Sequence, residues 1–473
     1  MFGKYGEFLS YFNVRVLLMK PLYTFAFVLG FFTSAFPQEF ASLELMKTIY
    51  GNITPKSITS DGNGRFYAQN MMYSHTITVY DRSFKLVKTI SDKIDLADYG
   101  FSEYDSTVSG SPVEATASHN GKYLWVTNYQ MFGDGFDSPG SDRCKMSKDY
   151  DSSFVFKINT QTLKIESVAQ VGCVPKYIAA TPDNRYILVT NWCSGDLSVI
   201  DTDSCKEIRR IDIGLYPRGI AVDSKSRFAY IAVMGAKKIV RVDLRDFSKT
   251  TLYDTGSNPR HLCIDSQDKF LYATLNGESK VVKINLAQFA VVDSAQTETA
   301  PRSMAMSADD AFLYVVNYAS NSLSVIRTDS MKTVQIIETG NHPIGVTYDT
   351  ETKNVWVACY SGCIQIFKNA PSKKVPLEIL ATKEKPAVQK KTETKNNYNY
   401  HIIVGAFKEE ANLKKMMSRC AKAGYEPYII NPAGTVKKLS CKGFEDKSSA
   451  LLELDSVKEK FGASVWICRQ PVQ

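Results

Sequence analysis

Histidine and tryptophan are scarce in this chain, at 5 and 4 of 473 residues. The five histidines form no cluster with metal-ligand spacing, and no paired CxxC motifs, HExxH helix or GxSxG elbow occurs. No metal and no cofactor is therefore expected. Long apolar runs are scarce too. The one candidate, PLYTFAFVLGFFTSAF at 21–36, has the length of a signal-peptide core and is short for a spanning helix. Charge of one sign is not in large excess: 57 basic against 49 acidic residues leave +8, which does not argue for nucleic acid as a partner.

The apolar run is preceded by Arg15 and Lys20 and contains the small residues Thr33-Ser34-Ala35. It reads as an export signal following an N-terminal extension, over residues 1–38, with no stable membrane span left after cleavage. Export makes the ten cysteines potential disulfide formers. Cys359 and Cys363 flank Tyr-Ser-Gly and can face each other across a hairpin. Cys144 lies in a long insertion, and Cys420, Cys441 and Cys468 lie near the C-terminus. Most of the ten are expected to be small buried hydrophobes.

Proline is also sparse, but its placement is regular. Pro175, Pro217, Pro259, Pro301 and Pro343 stand 42 residues apart, and each opens the same pattern. In the second unit a short apolar run, Gly219 to Val222, leads to the polar turn Asp223-Ser224-Lys225-Ser226. An alternating run follows from Phe228 to Val233, then a turn and a third run. Pro112 and Pro55 open two earlier units interrupted by insertions, which makes seven. Period-2 runs rich in Val, Ile, Tyr and Phe, broken by Asp, Asn, Ser and Gly, read as four strands per unit. Four-stranded units of this length pack blade on blade around an axis. The last unit stops after its third strand, while LELMKTIYG at 43–51 is an orphan matching MKTVQIIETG at 331–340. The N-terminal strand is expected to complete the seventh blade.

The triplets Val126-Thr127-Asn128 and Val189-Thr190-Asn191, with Val315-Val316-Asn317, carry a resemblance to YVTN-type seven-bladed propellers over about 43–368. The asparagine is missing at Val233, Leu275 and Cys359. Where present it reads as a structural residue of a tight turn. The resemblance implies fold rather than function, because propellers host unrelated activities.

The residue after each proline sits at the rim of the central channel. Around the ring it reads Lys56, Val113, Lys176, Arg218, Arg260, Arg302 and Ile344. Five cations converging on a channel mouth focus a positive potential, so an anionic ligand or an acidic partner is the functional inference. His261 is a candidate member. The plain alternative is that neighbouring carboxylates neutralise these cations. The acidic insertion at 133–153, with Asp134, Asp137 and Asp142, lacks EF-hand spacing and reads as a surface loop over one face.

From Lys368 the composition changes. The segment KNAPSKKVPLEILATKEKPAVQKKTETKNN has eight Lys against three Glu and no strand period, so 371–397 reads as a flexible tether. Beyond it the pattern is β-α-β-β-α-β, the split ferredoxin-like arrangement, over about 398–473. Val404-Gly405-Ala406-Phe407 after the first strand, with Gly443-Phe444 and Ala450 in the mirrored half, resembles a SPOR domain. That resemblance implies binding to peptidoglycan, specifically to glycan strands stripped of stem peptides. Lys442 and Lys438 stand where the family has glycine and arginine. Strand alternation sends Ile402, Val404, Leu439, Cys441, Val465 and Ile467 toward the helices. It leaves His401, Ile403, Lys438, Ser440 and Trp466 on the uncovered face as glycan-contacting candidates, with Trp466 suited to stack on a sugar ring.

The expected architecture is an all-β seven-bladed propeller at 39–370 followed by a small α+β domain. The expected function is that of a non-catalytic binding or scaffold protein of the bacterial periplasm or cell envelope, with a protein partner also accommodated on the propeller face. The alternative is a periplasmic hydrolase of lactonase type using the channel.

Overall fold

The computed structural model describes residues 42–104, 106–369, 399–430, 437–444, 447–462 and 465–469. The expected signal segment and the lysine-rich tether lie outside the described residues. The described chain falls into two compact units, divided between Lys374 and Val375.

Seven antiparallel sheets make up the larger unit. In one blade Pro217–Val222, Phe228–Val233, Lys238–Asp243 and Lys249–Leu252 pair in chain order. The turn between its first two strands is set by Asp223, whose carboxylate accepts from the backbone N–H of Arg227 and Phe228. Asp265 does the same for Lys269 and Phe270 one blade on. These turns also join neighbouring blades: the Ser224 hydroxyl donates to Asp268 and the Ser266 hydroxyl to Asp310, each at 2.5 Å. The repeat therefore fixes both the hairpin and its link to the next unit.

Between blades the cores are apolar. Leu188, Val199 and Ile211 of one blade pack on Ile220, Ile231 and Val242 of the next. Outermost strands alternate toward solvent, as along Lys332–Glu338. The innermost strands contact one another in an unbroken ring from the first blade round to the seventh and back. They come very close at two glycines. A Cβ on Gly219 would lie 2.6 Å from the carbonyl oxygen of Arg260, and one on Gly345 would lie 2.7 Å from Ser57 Cα. No larger residue fits there without displacing backbone.

The ring closes as the sequence pattern predicts. Leu43–Tyr50 pairs antiparallel with Cys363–Asn369 as the outer strand of the seventh sheet. The N–H of Leu43 donates to the Gln335 side-chain carbonyl at 2.9 Å, and the Gln335 amide donates to the Leu43 carbonyl at 3.0 Å. The N-terminal strand is thus tied to the sixth blade as well as the seventh.

In the smaller unit Tyr428–Ile429, Lys437–Phe444, Tyr400–Phe407 and Trp466–Arg469 form an antiparallel sheet in that spatial order. The helices Glu410–Lys422 and Lys447–Phe461 complete the β-α-β-β-α-β order. The first helix stops where Gly424 adopts φ +87°, a left-handed conformation that glycine accepts without strain. Ile402, Val404, Leu439, Cys441 and Val465 pack with Leu413, Cys420, Val457 and Phe461.

Candidate functional site

The strand starts at the channel mouth are not regular. In the five units of strict register the residue before the proline is left-handed: Val174, Tyr216, Asn258, Ala300 and His342 have φ between +54° and +59°. Such angles are costly for a β-branched residue such as Val174. Immediately after the proline the pairing shifts register, between Pro175 and Tyr177, Pro217 and Ile220, Pro259 and Leu262, and Pro301 and Met304. A bulge releases the following residue from the ladder and re-aims its side chain. That residue is Lys176, Arg218, Arg260 or Arg302. The same backbone step carries Ile344 in the fifth unit, where pairing shifts between Pro343 and Gly345, so it sets where the side chain is aimed and not its charge.

Two of the five rim cations have carboxylate partners. Lys56 pairs with Glu114 at 2.9 Å, and burial pushes the Lys56 ammonium down to about 8. Lys176 pairs with Asp142 of the acidic insertion, and burial, then Arg218, holds it well below the usual lysine range. The insertion thus reaches the channel mouth through Asp142. Arg218, Arg260 and Arg302 differ. No carboxylate of the described residues lies within ion-pair distance of them. Arg218 lies 4.8 Å over the Trp192 ring and Arg302 3.5 Å over Tyr318, while Arg260 Nη1 lies 3.8 Å from Met234 Sδ. Arg218 and Arg260 are nine-tenths buried. The Nε atoms of Arg218 and Arg302 are buried with no hydrogen-bond partner among the described residues. Burial, then the guanidiniums of Arg218 and Arg302, pushes Arg260 well below its usual range. Burial, then Arg218, brings Arg302 down to about 10. Arginine stays protonated in proteins, so these directions report an unfavourable electrostatic setting for fixed positive charge.

His261 does not join the cations. Its Nε2 lies 2.7 Å from the Tyr177 hydroxyl, and burial, followed by the charge of Arg260, pushes it down to about 3. It is neutral at physiological pH. Tyr177 and His261 belong to blades on either side of Gly219, where a Cβ would lie 2.8 Å from His261 Cα.

The asparagines also differ from expectation. They do not serve local turn backbone. Asn191 Nδ2 donates to Asp196 and to the Ser198 hydroxyl, and Asn317 Nδ2 to the hydroxyls of Ser322 and Ser324. They clamp the second strand to the third at the mouth. Sequence reasoning missed the residue after them. At the same spacing stand Trp192, Met234, Asn276, Tyr318 and Tyr360, with Tyr129 in the second blade. These side chains furnish much of the surface on which the cations lie. Lys176 Nζ is 3.6 Å from the Tyr129 ring centroid. The 42-residue register carried that signal.

A disulfide joins Cys144 to Cys193, with Cα atoms 5.9 Å apart. The bond fixes the insertion to the residue next to Trp192 and so holds Asp142 over the mouth. The other eight cysteines are free thiols and six of them are buried, in line with the expectation for most of the ten. Cys359 and Cys363 do stand opposite each other in their hairpin, as free thiols.

In the smaller unit the uncovered face is narrower than simple alternation predicts. His401, Ile403 and Ser440 are buried rather than open. Register shifts on both sides of Ile403 break the alternation, so Ile402, Ile403 and Val404 are buried in succession. His401 Nδ1 lies 2.9 Å from the Tyr428 hydroxyl, and the Ser440 hydroxyl donates to the Lys442 carbonyl at 3.0 Å. Trp466 remains accessible at 37% exposure, pairing through its backbone with Ile403. Lys438 is partly buried, its Nζ 3.9 Å from Cys468 Sγ.

Seven sheets around a channel, with a separate β-α-β-β-α-β unit, define a β-propeller protein carrying a small α+β domain. Comparison with known families gives both parts a name. Residues 221–358 match the YNCE-like beta-propeller family and residues 396–468 match the SPOR domain, the peptidoglycan-binding module characteristic of bacterial cell-envelope proteins. Among solved structures the chain is similar to Kuenenia stuttgartiensis hydrazine synthase. The identity is 16% and the TM-score 0.54, over 68% of this chain and 98% of that one. That likeness shows the fold alone. The search of curated proteins found no match.

Proposed function

We propose that this is a wall-anchored binding protein of the bacterial envelope, and not an enzyme. The smaller domain holds denuded glycan strands of peptidoglycan. The segment 371–397 acts as a tether, and the propeller presents an anion-binding mouth to a ligand or an acidic protein partner. The observation supporting this most directly is the presence, in one chain, of a SPOR domain and a propeller whose mouth gathers three guanidiniums, two buried and one half-buried, with no carboxylate of the described residues paired to them. An isolated buried charge is unfavourable unless something compensates it. An arrangement that concentrates three of them suits a function that supplies the missing anion.

On the smaller domain, Trp466 is the residue best placed to stack on a sugar ring, with Lys438 as a candidate donor of the same sheet. The burial of His401, Ile403 and Ser440 makes them supports for that surface. Binding of full-length protein to amidase-treated sacculi should weaken about tenfold in Trp466→Ala, in line with the loss of one aromatic contact of about 1–1.5 kcal/mol. Unchanged binding would move the glycan site elsewhere.

A further inference from the structure

We propose that the ligand of the propeller mouth is a compact small-molecule oxyanion carrying two or three negative charges, a phosphate monoester or a tricarboxylate, held by Arg218, Arg260 and Arg302. This rests on the reading of the mouth as an anion site and narrows it.

Charge balance comes first. Five rim cations face two carboxylates, Glu114 and Asp142, each engaged with a lysine. The three arginines carry the remainder. A monovalent anion leaves most of that charge uncompensated, whereas a dianion or trianion matches it.

Donor geometry comes second. Arg218 and Arg302 lie against the faces of Trp192 and Tyr318. A guanidinium stacked by its face keeps its N–H groups in the plane, free to grip oxygens in pairs. Arg260 Nη1 lies against the thioether of Met234, a weak acceptor that an anion oxygen would outcompete. The buried Nε atoms of Arg218 and Arg302 lack partners among the described residues. Donors coming from three successive blades suit an anion whose oxygens point in several directions.

The wall comes third. Trp192 packs on Tyr216, with ring centroids 4.5 Å apart and planes tilted by 32°, and the Tyr216 hydroxyl donates to the Cys144 carbonyl at 3.2 Å. The disulfide-held insertion is therefore built into the mouth. Burial pushes Arg218 below its usual range, and the Asp142 carboxylate opposes that shift. That carboxylate sits where it competes electrostatically with an incoming anion. That position gives the proposal opposite predictions for two substitutions.

The test is a thermal-shift titration of the full-length protein with inorganic phosphate and, separately, citrate, at constant ionic strength. Acetate and chloride serve as monovalent controls. A ligand that binds the folded state raises Tm with concentration. Phosphate or citrate should raise Tm of the wild type, and acetate should not. Arg260→Met should weaken that binding by about 10- to 100-fold, the usual loss for hydrogen bonds to a charged group. Arg260→Met should itself melt no lower than wild type, because it removes an uncompensated buried charge. Asp142→Asn should tighten binding several-fold. Equal shifts with chloride or acetate, or a phosphate shift unaltered by both substitutions, would overturn the proposal. Failure of phosphate and citrate together with Arg260-dependent binding of poly-glutamate would also overturn it, while leaving the broader anion-site reading standing. Failure of all these anions would remove both.

Discussion

A single buried acid illustrates how this ring is tuned residue by residue. Asp92 is 2% exposed, accepts from the Gly110 N–H at 2.9 Å and lies 3.8 Å from His75 Nδ1. Burial pushes its carboxyl up to about 6, against the opposing pull of His75 and of that hydrogen bond. The folded state therefore holds this proton more tightly than the unfolded chain does. The associated stability is complete below about pH 4 and is lost as pH rises through 6. Asp92→Asn keeps an acceptor for Gly110 and removes the titration. Thermal melts across pH 4–7 should show wild type falling relative to Asp92→Asn as pH rises. Parallel profiles would show that this carboxyl does not titrate as described.

The same scale shows why residue identity was easier to read than residue role. The cations stood out because the prolines that precede them recur in register. Two of their partners, Glu114 and Asp142, lie in units interrupted by insertions, so no spacing announced them. His261 looked like a cation by position, but its burial, and after that the charge of Arg260, keep it neutral. In the smaller domain Ile403 was misplaced because a bulge is a backbone event that side-chain alternation does not record.

At the scale of elements, two fastenings carry most of the testable weight. The first is the closing strand. Gln335 satisfies both backbone groups of Leu43 across the blade junction. Gln335→Ala should lower stability by about 1–3 kcal/mol by removing this pair of bonds. It should also raise hydrogen exchange along 43–50 more than along the innermost strands. Unchanged exchange there would mean that pairing with Cys363–Asn369 alone secures the strand. This strand was legible in advance, because its sequence repeats the fourth strand of another unit while the last unit lacks one. The second fastening is the Cys144–Cys193 bond, which spans 49 residues. Its removal by Cys144→Ser should cost about 2–4 kcal/mol. It should also free Asp142 to leave Lys176, so phosphate binding should change with it. A variant with wild-type Tm would show that the insertion is held by its other contacts. The sequence did not reveal this pairing, because the insertion breaks the repeat and a distance of 49 residues says nothing about proximity.

For the molecule as a whole, the repeat made the large architecture readable almost completely. The number of sheets, the strand that closes the ring and the order of the small domain all follow from periodicity. The mouth was readable as a charged ring, with neutralisation by neighbouring carboxylates as the alternative, but neither which cations are neutralised nor the aromatic wall was readable. Those features depend on which side chains meet across blades, which a linear pattern does not state. The central claim is that the smaller domain attaches this propeller to peptidoglycan glycan. The most direct test is co-sedimentation of the full-length protein, and of a chain ending at Asn369, with sacculi before and after amidase stripping. The account predicts that the full-length protein pellets with stripped sacculi, far less with unstripped ones, and that the shortened chain stays in solution. Equal pelleting of the shortened chain, or no pelleting of the full-length protein, would contradict it.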